Sequence, residues 1–185
     1  MRVIAGEHKG RQLKAVPGNS TRPTTDKVKE AVFQMIGPFF HGGSCLDLFA
    51  GSGSLGIEAL SRGMANCVFV DNNPKAIQTI RENIKTLKLD DQVEVFRAEA
   101  FRALNAAGKR DLKFDVIFLD PPYGKIDYVD LLQAIEEQNL LQPSGLVYCE
   151  HDASEQLPQS AAGFTIRKQV DYGGTIGVTI YHTEA

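Results

Sequence analysis

Three cysteines in 185 residues is too few for a disulfide scaffold, and Cys45, Cys67 and Cys149 lie too far apart for a Cys-x-x-Cys zinc site. That usage fits a reducing compartment, and the chain is expected to be cytoplasmic. No apolar run approaches the ~18 residues that a membrane span needs. The opening MRVIAGEHKGRQLK is charged throughout and lacks the apolar stretch of a signal peptide. The four histidines share no spacing, so no metal site is expected. Low-complexity tracts, internal repeats and interdomain linkers are also missing; glycine and proline are scattered as turn residues are.

What is present is ordinary globular material: 43% hydrophobic and 23% charged residues, enough to bury a core and too apolar for disorder. The length suits one domain. A net charge of −3 hides an asymmetry. Residues 1–30 carry seven Lys and Arg against Glu7, Asp26 and Glu30, a local +4, while the remainder stands at −7. Such a segment is either a contact for a polyanion or a solvated charged surface. The residues in question are Arg2, Lys9, Arg11, Lys14, Arg22 and Lys27.

Apolar periodicity predicts alternating strands and helices. Residues 2–5 and 11–16 suggest a short hairpin turning near Lys9-Gly10. Val28, Ala31, Val32, Met35 and Ile36 mark one face of a helix over 26–36, stopped by Gly37-Pro38. A buried strand over 44–49 leads into the turn AGSGSLG and a helix reaching Arg62. Strands are predicted over 67–70, 93–98, 114–119 and 146–150, and helices over 74–87, 100–107 and 128–138. The segments 164–170 and 175–182 alternate as paired strands about Tyr172-Gly173-Gly174. This is an α/β chain, with a mostly parallel sheet covered on both faces and a C-terminal antiparallel hairpin. A basic arm over 1–25 precedes the main body, 26–185, within one compact domain.

In such sheets ligands bind beyond the carboxyl ends of the strands. Gly51, Gly53 and Gly56 satisfy G-x-G-x-x-G, and Asp71 lies twenty residues beyond Gly51, where a dinucleotide fold places its ribose acid. Capping of the helix at Pro74 is the competing role for Asp71 unless Asn72 or Asn73 takes it. Asp47 inside an apolar strand needs backbone amides or a cationic ligand. After the fourth strand comes Asp120-Pro121-Pro122-Tyr123, which a dehydrogenase does not require. Asp47 and this tetrapeptide favour a nucleoside-type cofactor over NAD.

DLFAGSGSLG followed by DPPY resembles the class I S-adenosylmethionine-dependent amino-methyltransferases. The opening RVIAG…GRQL…TRPT…VKEAVF is similar to the RsmD-type family, bacterial 16S ribosomal RNA guanine-N(2) methyltransferases. The likeness runs from Arg2 to Tyr181. It implies a Rossmann-like fold with a seven-stranded sheet and S-adenosylmethionine as the cofactor. Asp47, Phe49, Ala50, Gly51, Ser52, Gly53, Asp71, Asn72, Glu99 and Ala100 would then line the cofactor site. For Glu99 a solvated carboxylate at a helix start is an equal alternative. The likeness also implies 16S ribosomal RNA in a small-subunit particle as the partner, and a monomeric enzyme.

The chemistry follows from the residues. An exocyclic aromatic amine is a poor nucleophile, because its lone pair is delocalised into the ring. The Asp120 carboxylate and the Pro121 carbonyl can hold its two hydrogens and turn the lone pair toward the methyl. Pro121-Pro122 supplies no N–H donors and fixes the turn. Tyr123 can stack on the base. A DNA amino-methyltransferase and a non-catalytic RNA-binding module are the competing functions.

Overall fold

The computed structural model describes residues 1–18, 25–122 and 124–184. Helix α1 (Asp26–Ile36) is capped by Thr25, whose side chain accepts from the Val28 amide. Strand β1 (Ser44–Asp47) follows, then α2 (Ser54–Ser61), β2 (Asn66–Asp71) and α3 (Pro74–Leu87). Next come β3 (Val93–Arg97), α4 (Ala100–Lys109), β4 (Phe114–Leu119), α5 (Tyr128–Glu137) and β5 (Leu141–Asp152). The chain closes with β6 (Ser160–Ala161), β7 (Phe164–Tyr172) and β8 (Ile176–Thr183).

These strands form one sheet in the order β3-β2-β1-β4-β5-β8-β7-β6. Neighbours from β3 to β5 are parallel, while β8 runs antiparallel to both β5 and β7. The expected mostly parallel sheet and antiparallel C-terminal hairpin are therefore present. Eight strands stand where seven were expected, because the two-residue β6 adds an edge beside Thr165 and Phe164. Among the boundaries that differ, two have a clear cause. β1 stops at Asp47, as the chain turns into the glycine loop. β5 begins at Leu141, paired to Phe114 across an irregularity that the Gln-Pro-Ser-Gly stretch hides from a periodicity reading.

Successive strand residues face opposite sides, and the core divides accordingly. On one face Cys45, Val116, Phe118 and Tyr148 pack beneath Val32, Phe33, Ile57, Leu60, Ile80 and Ile84 of α1, α2 and α3. On the other, Leu46, Ile117, Leu119 and Cys149 pack beneath Leu104, Leu131, Leu132 and Ile135 of α4 and α5. Among the described residues no helix is long and apolar enough to cross a membrane.

The N-terminal segment folds back on itself as expected, but with one antiparallel bridge, Arg2 to Gln12, in place of a two-stranded ladder. The reason lies in α2. Glu58 accepts from the Ile4 and Ala5 amides at 2.9 and 3.1 Å, and Ser61 accepts from those of Glu7 and His8. Backbone groups that would extend a hairpin are spent on a helix. Val3 and Leu13 belong to the main core, so residues 1–18 of the arm are docked on the body and are not a free appendage.

Candidate active site

Four strand ends, those of β1, β2, β4 and β5, bring carboxyl groups to one edge of the sheet. Beyond β1 the chain turns sharply, with the Gly53 amide donating to the Ala50 carbonyl at 2.7 Å. Gly51 and Gly53 have φ of +56° and +84°, a region that costs residues with a Cβ. A Cβ on Gly51 would meet only open space, so the strand-to-helix turn leaves room for a ligand there. Gly56 serves differently: a Cβ would lie 2.4 Å from the Phe69 ring and 2.8 Å from Cys67 Sγ. It lets α2 sit tightly on β2.

Two acids hold this turn. Asp71 accepts from the Gly51 amide at 2.8 Å through one oxygen and from the Asn73 amide at 2.8 Å through the other. Asn73, not Asp71, caps α3, its side chain accepting from the Lys75 amide. Asp71 is thereby fixed at the tip of β2, beside the open face of the loop. Asp47 is buried and accepts from the Gly56 amide at 3.1 Å. Burial pushes its carboxyl up to about 7, opposed by that hydrogen bond and assisted by the charge of Asp71. The amide supplies one of the partners its position demands.

The remaining expected cofactor residues sit around this edge. Ala50 is buried, with its amide donating to the Val70 carbonyl, and half-buried Phe49 packs against the α4–α5 core. Ser52 donates from Oγ to Met1 Sδ at 3.7 Å, bringing the N-terminus to the loop. The Asn72 carbonyl accepts from Arg97 at 3.4 Å. Glu99 caps α4, accepting from the Phe101 and Arg102 amides at 2.8 and 3.2 Å, with Ala100 buried behind it. Of the two alternatives for Glu99, the helix-start role is the one its contacts display.

Asp120 follows β4 directly and is half-buried, Pro121 is buried and Pro122 exposed. Burial, then Glu150 and then Asp47 hold the Asp120 carboxyl well above the usual carboxylate range. Tyr123 and Arg22 lie outside the described residues.

The arm cations are distributed over the surface of α1 and α3. Arg2 pairs with Asp26 at 2.8 Å and Lys14 with Glu82 at 3.2 Å, both solvent-exposed. Arg11 donates to the Thr86 carbonyl at 3.3 Å, while Lys9 and Lys27 are exposed.

Several residues of consequence escaped the sequence reading. Lys29 is buried, donating to the Arg2 carbonyl at 2.7 Å and to Ser54 Oγ at 2.9 Å beside Glu58 at 3.5 Å. Arg62 completes this cluster through Glu58 at 2.8 Å. Asn83 binds both backbone groups of Lys14 and the Ser52 carbonyl. Lys29 and Asn83 tether the arm to the glycine loop and the start of α2. A signal existed: Glu58 and Arg62 interrupt an apolar helix four residues apart, and Asn83 adjoins Ile84 on an apolar stripe.

Comparison with known proteins identifies the family. The family model described as Conserved hypothetical protein 95 matches residues 1–182. "Putative rRNA methyltransferase YlbH" of Bacillus subtilis is 55% identical over 181 residues, 98% of each chain. Ribosomal RNA small subunit methyltransferase D of Haemophilus influenzae is 37% identical over 85% of this chain and 81% of its own. A solved structure of a conserved hypothetical protein from Streptococcus pyogenes superimposes with a TM-score of 0.80 at 43% identity, covering 85% of this chain and 96% of that one. The structure of SMU.776 complexed with SAH shares the fold alone, at 15% identity and a TM-score of 0.65 over 83% of this chain and 48% of that one. The chain belongs to the Conserved hypothetical protein 95 family, the RsmD-type methyltransferases that its sequence resembles.

Proposed function

We propose that the protein transfers a methyl group from S-adenosylmethionine to the exocyclic N2 amine of a guanine in 16S ribosomal RNA. The observation that carries this reading is the half-buried Asp120-Pro121 turn at the same sheet edge as the open glycine loop and Asp71. The loop fits the cofactor on its own terms: open space before Gly51 admits a bulky ligand close to backbone, and Asp71 offers a fixed carboxylate to ribose hydroxyls. On this reading Asp47, Phe49, Ala50, Ser52, Gly53 and Asn72 line the cofactor site, with Glu99 and Ala100 at the head of α4.

When bound, the cofactor supplies a methyl group already activated by its sulfonium, so the protein's task is alignment. Asp120 and the Pro121 carbonyl accept the two amine hydrogens and orient the lone pair, Pro122 stiffens the turn and Tyr123 stacks on the base. Removing the target base from its stack costs a few kcal/mol, least in a loop, and phosphate contacts by the arm offset it. The name of the 37% identical relative supports ribosomal RNA of the small subunit as the substrate. A cytoplasmic monomer acting on an assembling or assembled subunit is the setting we infer.

Labelled methyl transfer from S-adenosylmethionine tests this on naked 16S RNA, small-subunit particles and DNA, with mass spectrometry locating the product. We expect N2-methylguanine from the ribosomal substrate, and none with Asp120→Ala although that variant still binds cofactor. Label entering DNA adenine, or no transfer to any acceptor, would overturn the assignment.

A further inference from the structure

The glycine turn is held from three elements outside itself. The Gly51 amide donates to Asp71 of β2 at 2.8 Å. The Ser52 carbonyl accepts from Asn83 of α3 at 3.0 Å, and the Ser54 hydroxyl accepts from Lys29 of α1 at 2.9 Å. Asn83 and Lys29 are buried, and each also bonds the N-terminal arm. Asn83 donates to the Lys14 carbonyl at 3.1 Å and accepts from the Lys14 amide at 2.9 Å. Lys29 donates to the Arg2 carbonyl at 2.7 Å.

The two arm residues held in this way are themselves exposed cations. Their side chains are 55% and 69% exposed, and each pairs only with a solvated carboxylate, Asp26 or Glu82. Backbone atoms of Arg2 and Lys14 thus meet Lys29 and Asn83, while their charged ends meet water. The Arg2–Gln12 bridge and the Leu13 amide, which donates to the Met1 carbonyl at 2.9 Å, join the two limbs of the arm. A phosphate taken by Arg2 or Lys14 is therefore one buried side chain away from the loop that takes the cofactor.

We infer that Lys29 and Asn83 are positioning residues that couple the two substrates: RNA held by the Arg2 and Lys14 side chains fixes, through Lys29 and Asn83, the turn that receives S-adenosylmethionine. This rests on the arm's proposed contact with RNA and adds the link from that contact to the cofactor. The turn has something to gain from such a link. Gly51 and Gly53 lose more backbone freedom when fixed than residues with a Cβ do, so the empty turn is costly to order. Whichever substrate binds first bears that ordering cost, and the second meets a turn already in place. The effect is reciprocal, because a coupling free energy belongs to the pair of sites: cofactor in the loop also readies the arm for RNA.

Amide hydrogen exchange tests the ties without RNA. S-adenosylhomocysteine, which has no methyl to give, should slow exchange of the Val3, Ile4 and Leu13 amides of the wild-type arm about tenfold. Lys29→Met keeps an apolar stem without a donor and should lose that response. Ser54→Ala removes only the hydroxyl that Lys29 holds, and serves if Lys29→Met fails to fold. Equilibrium dialysis of labelled S-adenosylhomocysteine then measures the coupling itself, with and without a saturating amount of the RNA acceptor that takes the methyl. The wild type should bind about tenfold tighter with RNA present. Lys29→Met, Ser54→Ala and Asn83→Ala should bring that ratio toward one. Ties that only stabilised the fold would leave the ratio alone, whatever they did to either affinity. A wild-type ratio of one, or variants that keep the wild-type ratio, overturns the inference. A ratio of one with arm amides that still respond to S-adenosylhomocysteine places the fault in the arm's contact with RNA. Absence of any methyl transfer faults the reaction instead and leaves the exchange result standing.

Discussion

Asp71 and Asp47 illustrate how two acids of one type acquire different work from their surroundings. Asp71 accepts from two backbone amides beside open space, so on the proposed reading its alanine variant loses a ribose acceptor and releases the Gly51 turn together. Calorimetric titration should find S-adenosylmethionine weakened by ~1.5–3 kcal/mol in Asp71→Ala, the scale of a charged hydrogen bond. Unchanged affinity would remove Asp71 from the cofactor site. Asp47 has one amide and no exposure, and its carboxyl moves from an ordinary 3.8 up to about 7. Between those values the folded protein holds a proton that the unfolded chain has shed. Folding stability therefore falls as the pH rises through that interval, by up to roughly 4 kcal/mol at 1.36 kcal/mol per pKa unit. Asp47→Asn keeps the oxygen that meets Gly56 and cannot ionise. Urea midpoints measured across the interval should decline for the wild type and stay flatter for the variant.

At the scale of elements, the arm, α1, α2, α3 and the glycine loop are joined by buried polar groups rather than by apolar contact alone. Lys29 reaches from α1 to Arg2 on one side and Ser54 on the other. Asn83 reaches from α3 to Lys14 and Ser52. Burial lowers the Lys29 pKa, with the Glu58 charge opposing the shift. A partner lost from such a cluster leaves donors and acceptors unsatisfied out of water, which costs more than the net worth of the bond. Asn83→Ala should therefore destabilise the protein by about 2–3 kcal/mol. Because the same side chain holds Ser52, cofactor affinity should fall as well, and protease should cut the arm sooner. Stability loss without either of the other changes would mean that the arm and the loop are independent.

At the scale of the molecule, charge is divided between an acidic body and a basic N-terminal surface. The pairs Arg2–Asp26 and Lys14–Glu82 are exposed, and exposed pairs contribute little, so RNA phosphates can compete for these cations. Each cation that meets a phosphate of single-stranded RNA adds ~0.7 to the slope of log affinity against log salt. Replacing Lys9, Arg11 and Lys14 together by alanine should flatten that slope and raise the KM for the particle. Cofactor affinity should stay as it was, since the Arg11 and Lys14 side chains bond to Thr86 and Glu82 near the end of α3 and Lys9 is exposed. A triple variant with the wild-type salt dependence would make these residues ordinary solvated surface.

The alternation of strands and helices, the glycine turn and the two acids at strand ends were legible in the sequence because they rest on local rules. Period-two and period-3.6 patterns fix which face of each element is apolar, and a positive-φ turn requires glycine. The family resemblance rests on the same contiguous motifs. Tertiary structure decided the rest. Periodicity cannot show that Ile4 and Ala5 donate to Glu58, more than fifty residues away, which is why the N-terminal hairpin shrank to a bridge. It cannot pair β6 with β7 at the sheet edge, since two residues carry no pattern. Nor can it place Glu150 beside Asp120. That neighbourhood comes from the register of β4 on β5, set by packing on both faces of the sheet, and burial then gives one carboxyl its influence over the other.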